Sequence, residues 1–147
     1  MKNNINIKNK KALFKFEVID TYTVGVVLQG TEIKSIRNSN ISFNDSYCYF
    51  VEGELYLKNF HISEYKEGTY NNHDPLRERK LLLNKKELRK LSDKVAEKGL
   101  TIVPLRIFMN DKGFVKFDIG LCRGKKAHDK RNSLKERDID RDTKNEK

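Results

Sequence analysis

The sequence predicts a mainly β protein with short helices, in which six antiparallel strands close into a barrel and a basic tail follows. Three observations carry that expectation. Short apolar runs with a two-residue period recur between residues 13 and 122, bounded by glycine, asparagine or aspartate. One strongly amphipathic helical stretch interrupts them at residues 84–99. The closing segment "GKKAHDKRNSLKERDIDRDTKNEK" (124–147) offers only Ala127, Leu134 and Ile139 as aliphatic side chains.

In chain order, "LFKFEVID" (13–20) sets Phe14, Phe16 and Val18 on one face, and "VGVVLQG" (24–30) is a second apolar run ending at a glycine. Both read as strands. "GTEIKSIRN" (30–38) places Ile33 and Ile36 three apart behind Thr31, a short helix with Lys34 and Arg37 facing outward. "SYCYFVEGELYLKNFHI" (46–62) alternates, breaks at Glu52–Gly53–Glu54 and resumes. "NKKELRKLSDKVAEKG" (84–99) carries Asn84 as N-cap, Glu87 as its capping-box partner, an apolar face of Leu88, Leu91 and Val95, and Gly99 as its stop. "LTIVPLRIFMNDKGFVKFDIGLC" (100–122) is a second hairpin, turning at Asn110–Gly113, with Pro104 marking an edge or a bulge. Six short strands with a helix between the fourth and fifth fit an OB-like barrel, because closure removes exposed edges. Such barrels often bind oligonucleotides on one face.

The 31 Lys and Arg against 21 Asp and Glu, a formal charge of +10, point to a polyanionic partner, nucleic acid or an anionic membrane; genomic base bias toward Lys, Asn and Ile explains part of the same composition. "MKNNINIKNK" leads into no apolar signal region, and no run approaches the ~20 apolar residues of a membrane span, so a cytoplasmic protein without membrane contact is expected. Cys48 and Cys122 lie in apolar stretches without CxxC spacing and are expected to be buried, reduced thiols. His61, His73 and His128 are scattered, and no GxSxG, HExxH, P-loop or dinucleotide fingerprint occurs. No enzyme, cofactor or metal is expected; a nuclease built on Asp118 or on Glu32 and Lys34 is the least implausible catalytic alternative.

Two domains of behaviour follow: a folded core over 1–123 and a tail over 124–147. With nine basic and six acidic residues, the tail buries too little apolar area to offset an ordering cost of roughly 1–2 kcal/mol per residue, so disorder in the free protein is expected. Ser133-Leu134-Lys135-Glu136 has capping-box spacing, and the pairs Asp138/Arg141 and Asp140/Lys144 sit at helical spacing, so a helix is latent there. The linker "YKEGTYNNHDPLRERK" (65–80) mixes Tyr65, Tyr70 and His73 with Lys66, Arg77, Arg79 and Lys80; base stacking with phosphate neutralisation and a plain polar loop around Pro75 both fit it.

Taken together, "NKKALFKFEV", "GTEIKSIR", "DSYCYF", "NHDPLRERKLLLNKKEL", "KGLTIVPLRIF", "IGLCRGKKAHDKR" and "LKERD" resemble, in order and spacing, the SsrA-binding proteins, also called small protein B, over about residues 9–141. The resemblance implies a non-enzymatic bacterial protein with an OB-type barrel that binds transfer-messenger RNA (tmRNA) and starts trans-translation, the rescue of stalled ribosomes. It implies a grip on the tRNA-like domain near its elbow, delivery with elongation factor Tu, and a tail that becomes helical in the vacant message channel. A monomer is expected.

Carried over by position, Asn9, Lys10 and Lys11 precede the first strand, Glu32, Lys34 and Arg37 lie on the first helix, Arg79, Lys80 and Leu82 enter the helix-bearing connection, and Lys116 is on the last hairpin. The resemblance places these at the tRNA-like domain, although Leu82 inside "LLL" fits the core better than a contact. Lys125, Lys126, His128, Asp129, Lys130 and Arg131 of "GKKAHDKR" would approach the decoding region and its ribosomal RNA, with His128 stacking on a base. Family members often carry an acidic residue two places before the second-strand glycine, where this chain has Thr23. A hydroxyl still bonds RNA there but offers no carboxylate. A general OB-fold chaperone of single-stranded RNA is the alternative function.

Overall fold

The computed structural model describes residues 5–125, apart from the side chains of residues 69, 70, 97 and 98. The tail's expected disorder and latent helix, and the roles expected of Lys126, His128, Asp129, Lys130 and Arg131, therefore lie outside the described residues, as does the Tyr70 ring.

The chain opens with β1 (Asn6–Lys8), α1 (Lys10–Lys15), β2 (Phe16–Val26) and α2 (Gly30–Arg37). There follow β3 (Ile41–Ser42), β4 (Tyr47–Val51), β5 (Glu54–Lys58), β6 (His61–Ile62) and a 3-10 turn (Lys66–Asn71). The last elements are β7 (Arg79–Leu82), α3 (Lys85–Lys98), β8 (Thr101–Met109) and β9 (Val115–Gly124). β8, β4, β5, β7, β2 and β9 pair in that order and β9 pairs back on β8, a closed antiparallel circuit to which β1 adds along β8. β3 and β6 form a separate two-stranded piece.

Six strands are expected and six close the barrel, but the sets differ. Stretches 13–20 and 24–30 are expected as two strands; residues 16–20 of the first and 24–26 of the second both belong to β2, since Thr21–Thr23 stay paired with β9 past a register shift between Val18 and Asp20. The missing sixth member is β7, which hides in the connection before the helix. Residues 13–15 are helical, not extended: Asn9 Oδ1 accepts from the Ala12 N–H at 3.2 Å and caps α1, a helix of six residues, too short to show a period.

The register slips between Pro104 and Arg106, so the expected bulge is present. It has a packing consequence. Val103 and Leu105 join Ala12 and Cys122 in a small cluster under α1, whereas Ile102 and Ile107 face the main core, so the inserted residue switches the buried side of β8. In the main core Phe60 meets Phe43 and Phe117 edge-on, each pair of ring centroids 5.2 Å apart. α3 contributes Leu88 and Leu91, and its ends follow expectation: Asn84 and Glu87 cap each other, and Gly99 leaves the helix at φ 65°. Cys48 and Cys122 are buried free thiols, and burial pushes Cys122 up to about 12, which leaves it a neutral thiol. No described helix is long and apolar enough to cross a membrane.

Candidate nucleic-acid interface

α2 is held to the barrel by a buried ion cluster. Glu32 completes a capping box by accepting the Gln29 N–H at 2.7 Å, which aims its carboxylate at the start of β7 and the segment before it. There Arg79 Nε donates to Oε2 at 2.8 Å, and Arg77 donates to both oxygens at 2.7 and 3.1 Å. Arg79 also donates to the carbonyls of Phe60 (2.6 Å) and Pro75 (3.2 Å). Burial alone would raise the Glu32 pKa, but the hydrogen bonds from Arg77 and Gln29 and the Arg79 charge outweigh it and hold the carboxyl below the usual range. Burial lowers the Arg79 pKa against the opposing pull of Glu32.

His73 makes a second tie between α2 and this segment. The Ile62 carbonyl can only accept, so Nε2 donates to it at 2.9 Å and Nδ1 accepts from the Thr31 hydroxyl at 2.9 Å. Asn72 accepts from the Tyr65 N–H and donates to its carbonyl, and Lys34 Nζ stands 5.6 Å from the Tyr65 ring. Lys34 and Arg37 remain exposed, as their helical spacing implies.

Beside α2 lies an apolar cleft of about 230 Å³ lined by Gly25, Leu28, Ile33, Leu82, Phe114 and Lys116, among others. Gly25 faces Leu82 on one side and Lys116 on the other; a Cβ there would meet Leu82 Cδ1 at 3.4 Å and Lys116 Nζ at 3.8 Å. Leu82 is 50% exposed, a correction to its favoured core placement: strand alternation buries Leu81 and turns Leu82 out. Phe114, 62% exposed, joins it.

The other end of β2 carries α1. Lys10 and Lys11 are exposed there, and Lys11 and Lys15 pair with Asp45 at 3.4 and 3.7 Å. The Lys125 N–H, at the last described residue, donates to the Lys15 carbonyl at 3.1 Å. Phe16 pairs with Gly124 and Gly25 with Lys116, so the two ends stand roughly 30 Å apart along the strand.

Three residues of the expected contact set are buried. Glu32 and Arg79 are 0% exposed and Asn9 is 5% exposed, with Asn9 Nδ2 donating to the Pro104 carbonyl at 2.8 Å. Their polar groups are spent on protein partners. Lys80 is half-buried beside Glu54 at 3.7 Å. Thr23 is exposed and donates to Asp118 at 2.7 Å, while Arg106 Nε bonds the other Asp118 oxygen at 2.9 Å. A carboxylate therefore stands directly across the strand pair from Thr23. Among the described residues no cluster of His, Cys, Asp and Glu could hold a metal ion. Phe114 was not assigned from sequence; an aromatic following "DKG" in a turn was the one available signal.

Fold and surface define a small basic β-barrel with a cation-bordered apolar cleft at one end and a lysine-rich helix at the other, a class suited to gripping a folded polyanion. The family profile described as SmpB protein matches residues 6–147. An SsrA-binding protein of Phocaeicola vulgatus is 63% identical over 134 residues, covering 91% of this chain and 89% of the relative. One from Thermosipho melanesiensis is 48% identical, covering 90% of each. A chain in a solved structure described as "tmRNA-SmpB: a journey to the center of the bacterial ribosome" superposes with a TM-score of 0.70 at 47% identity, covering 91% of this chain and 94% of that one. The chain belongs to the SmpB protein family.

Proposed function

We propose that this protein binds the tRNA-like domain of tmRNA and brings it to stalled ribosomes in the bacterial cytoplasm, acting by binding and not by catalysis. Family membership supports the RNA and the ribosome as partners. The observation that carries the division of labour is the separation of the two ends: exposed Leu82 and Phe114, with half-buried Lys116, border one, and the chain runs toward residues 126–147 from the other. An RNA elbow held at the first end leaves the second free to face the ribosome.

Lys34, Arg37 and Lys116 neutralise phosphates around the cleft, and Leu82 and Phe114 cover an unpaired base or ribose at the elbow. At the opposite end Lys125, Lys126, His128, Asp129, Lys130 and Arg131 meet the decoding region. A cationic tail competes with message for a channel walled by ribosomal RNA, so sterics make its entry conditional on an empty channel. The protein acts as a monomer and travels with elongation factor Tu.

Binding of a tRNA-like RNA and of a duplex of equal length, measured by fluorescence anisotropy across a salt series, tests this. Preference for the elbow-bearing RNA supports it; equal affinity at every salt concentration refutes it. Deleting residues 126–147 should leave that affinity in place and abolish peptide tagging on stalled ribosomes.

A further inference from the structure

The β4–β5 hairpin turns an unusual set of side chains outward. Cys48, Leu55 and Leu57 are buried, so the alternate residues Tyr47, Tyr49, Tyr56 and Lys58 share the outer face. Tyr49 pairs across the strands with Tyr56, and Tyr47 with Lys58. The three rings form a ladder with centroid steps of 6.1 and 6.5 Å and interplanar angles of 47° and 43°. Tilted rings at that spacing do not consume each other's faces by stacking. The steps also exceed the ~3.4 Å rise of a stacked strand, so the ladder suits bases splayed apart.

We propose that this ladder is a stacking platform for unpaired bases of single-stranded RNA, running from the β4–β5 face into the cleft beside α1. The inference rests on the reading of the chain as an RNA binder, but not on the identity of the folded RNA or on the Leu82 end.

Cations accompany the rings. Lys58 Nζ lies 5.8 Å from the Tyr49 ring with its side chain 43% exposed, and Lys15 Nζ lies 5.8 Å from the Phe16 ring. Tyr47, Lys15 and Phe16 line a second cleft of about 280 Å³, which extends the ladder toward the α1 end. The Lys11 and Lys15 pairs with Asp45 are solvent-exposed, and such pairs exchange readily for a phosphate. Ser46, 6% exposed, lines the same cleft, and its buried hydroxyl has no hydrogen-bond partner.

Glu78 sets the direction of the strand. It accepts the Tyr49 hydroxyl and pairs with Lys58 at 3.7 Å, placing negative charge on the β7 side of the ladder, as Glu54 does beside Lys80. The phosphates therefore run on the Lys15 side, away from β7. The Glu78 bond also pushes the Tyr49 phenol up to about 12, so the ring stays neutral beside a polyanion.

The probe is a short oligouridylate, with tRNA-like RNA as the parallel arm, on the full-length protein. Oligouridylate should quench tyrosine fluorescence and shift the ring resonances of Tyr47, Tyr49 and Tyr56. The paired variant Tyr49→Leu/Tyr56→Leu should bind it at least about ten-fold more weakly, while Tyr49→Phe/Tyr56→Phe retains affinity and both variants hold tRNA-like RNA as before. Shifts confined to the Leu82 and Phe114 end, or unchanged affinity in a folded leucine variant, overturn the inference. If the leucine variant does not fold, the ring resonances of the unaltered protein decide alone. No oligouridylate response in the unaltered protein, with tRNA-like RNA still bound, sinks only this inference; failure of the unaltered protein to prefer tRNA-like RNA over duplex sinks the proposed function.

Discussion

Glu32 shows how a residue can matter to an RNA surface without lying on it. Its carboxylate, 0% exposed, is shared by Arg77, Arg79 and the Gln29 N–H, so one side chain ties α2 to the strand that presents Leu82. Glu32→Gln leaves Arg79 buried without a counter-charge and should cost about 3–5 kcal/mol in denaturant unfolding. Since its folded pKa is depressed, Glu32 stabilises the protein above its unfolded value of about 4.3, and that contribution disappears as pH falls through the folded value. Urea midpoints should therefore drop more steeply with acid in the parent than in Glu32→Gln. Leu82→Ala should do the reverse: at 50% exposure it should change stability by less than about 1 kcal/mol, yet weaken binding of tRNA-like RNA several-fold. Equal loss of stability in both variants would contradict this division.

At the scale of elements, caps and turns were legible and short segments were not. Asn84, Glu87 and Gly99 delimit α3 because each acts through a local hydrogen bond or a local backbone angle. α1 was not legible, because its six residues depend on a distant partner: Asn9 caps the helix and also donates to the Pro104 carbonyl across the fold. Asn9→Ala removes both bonds and should cost about 1–2 kcal/mol, measured by thermal unfolding, with α1 amides gaining hydrogen exchange first. β7 escaped detection for a related reason. Its four residues pair with β5 and β2, and the buried Arg79 makes the segment read as a polar connection. The cluster around Glu32 was visible only as separate charges in "GTEIKSIR" and "DPLRERK", since nothing local reveals that a 47-residue separation closes at 2.8 Å.

On the scale of the whole molecule, the sequence motifs carried the family while the three-dimensional arrangement supplied the partition into two ends. The +10 charge predicts that affinity for tRNA-like RNA falls linearly on a log–log salt plot, and Lys116→Ala should make that slope shallower by about one phosphate contact. An unchanged slope would move Lys116 out of the contact set. The division of roles also predicts that a protein ending at Lys125 unfolds within a few degrees of the full-length chain, because the described core clusters lie wholly before that residue.

β9 is flanked along most of its length by β2 on one side and β8 on the other, and the Lys125 N–H adds a final bond to Lys15. Tension applied through the C-terminal end is thus borne by two ladders in parallel, and many bonds must yield together for the strand to slide. A hauling load on that end would be transmitted to the rest of the barrel before it could peel the last strand away.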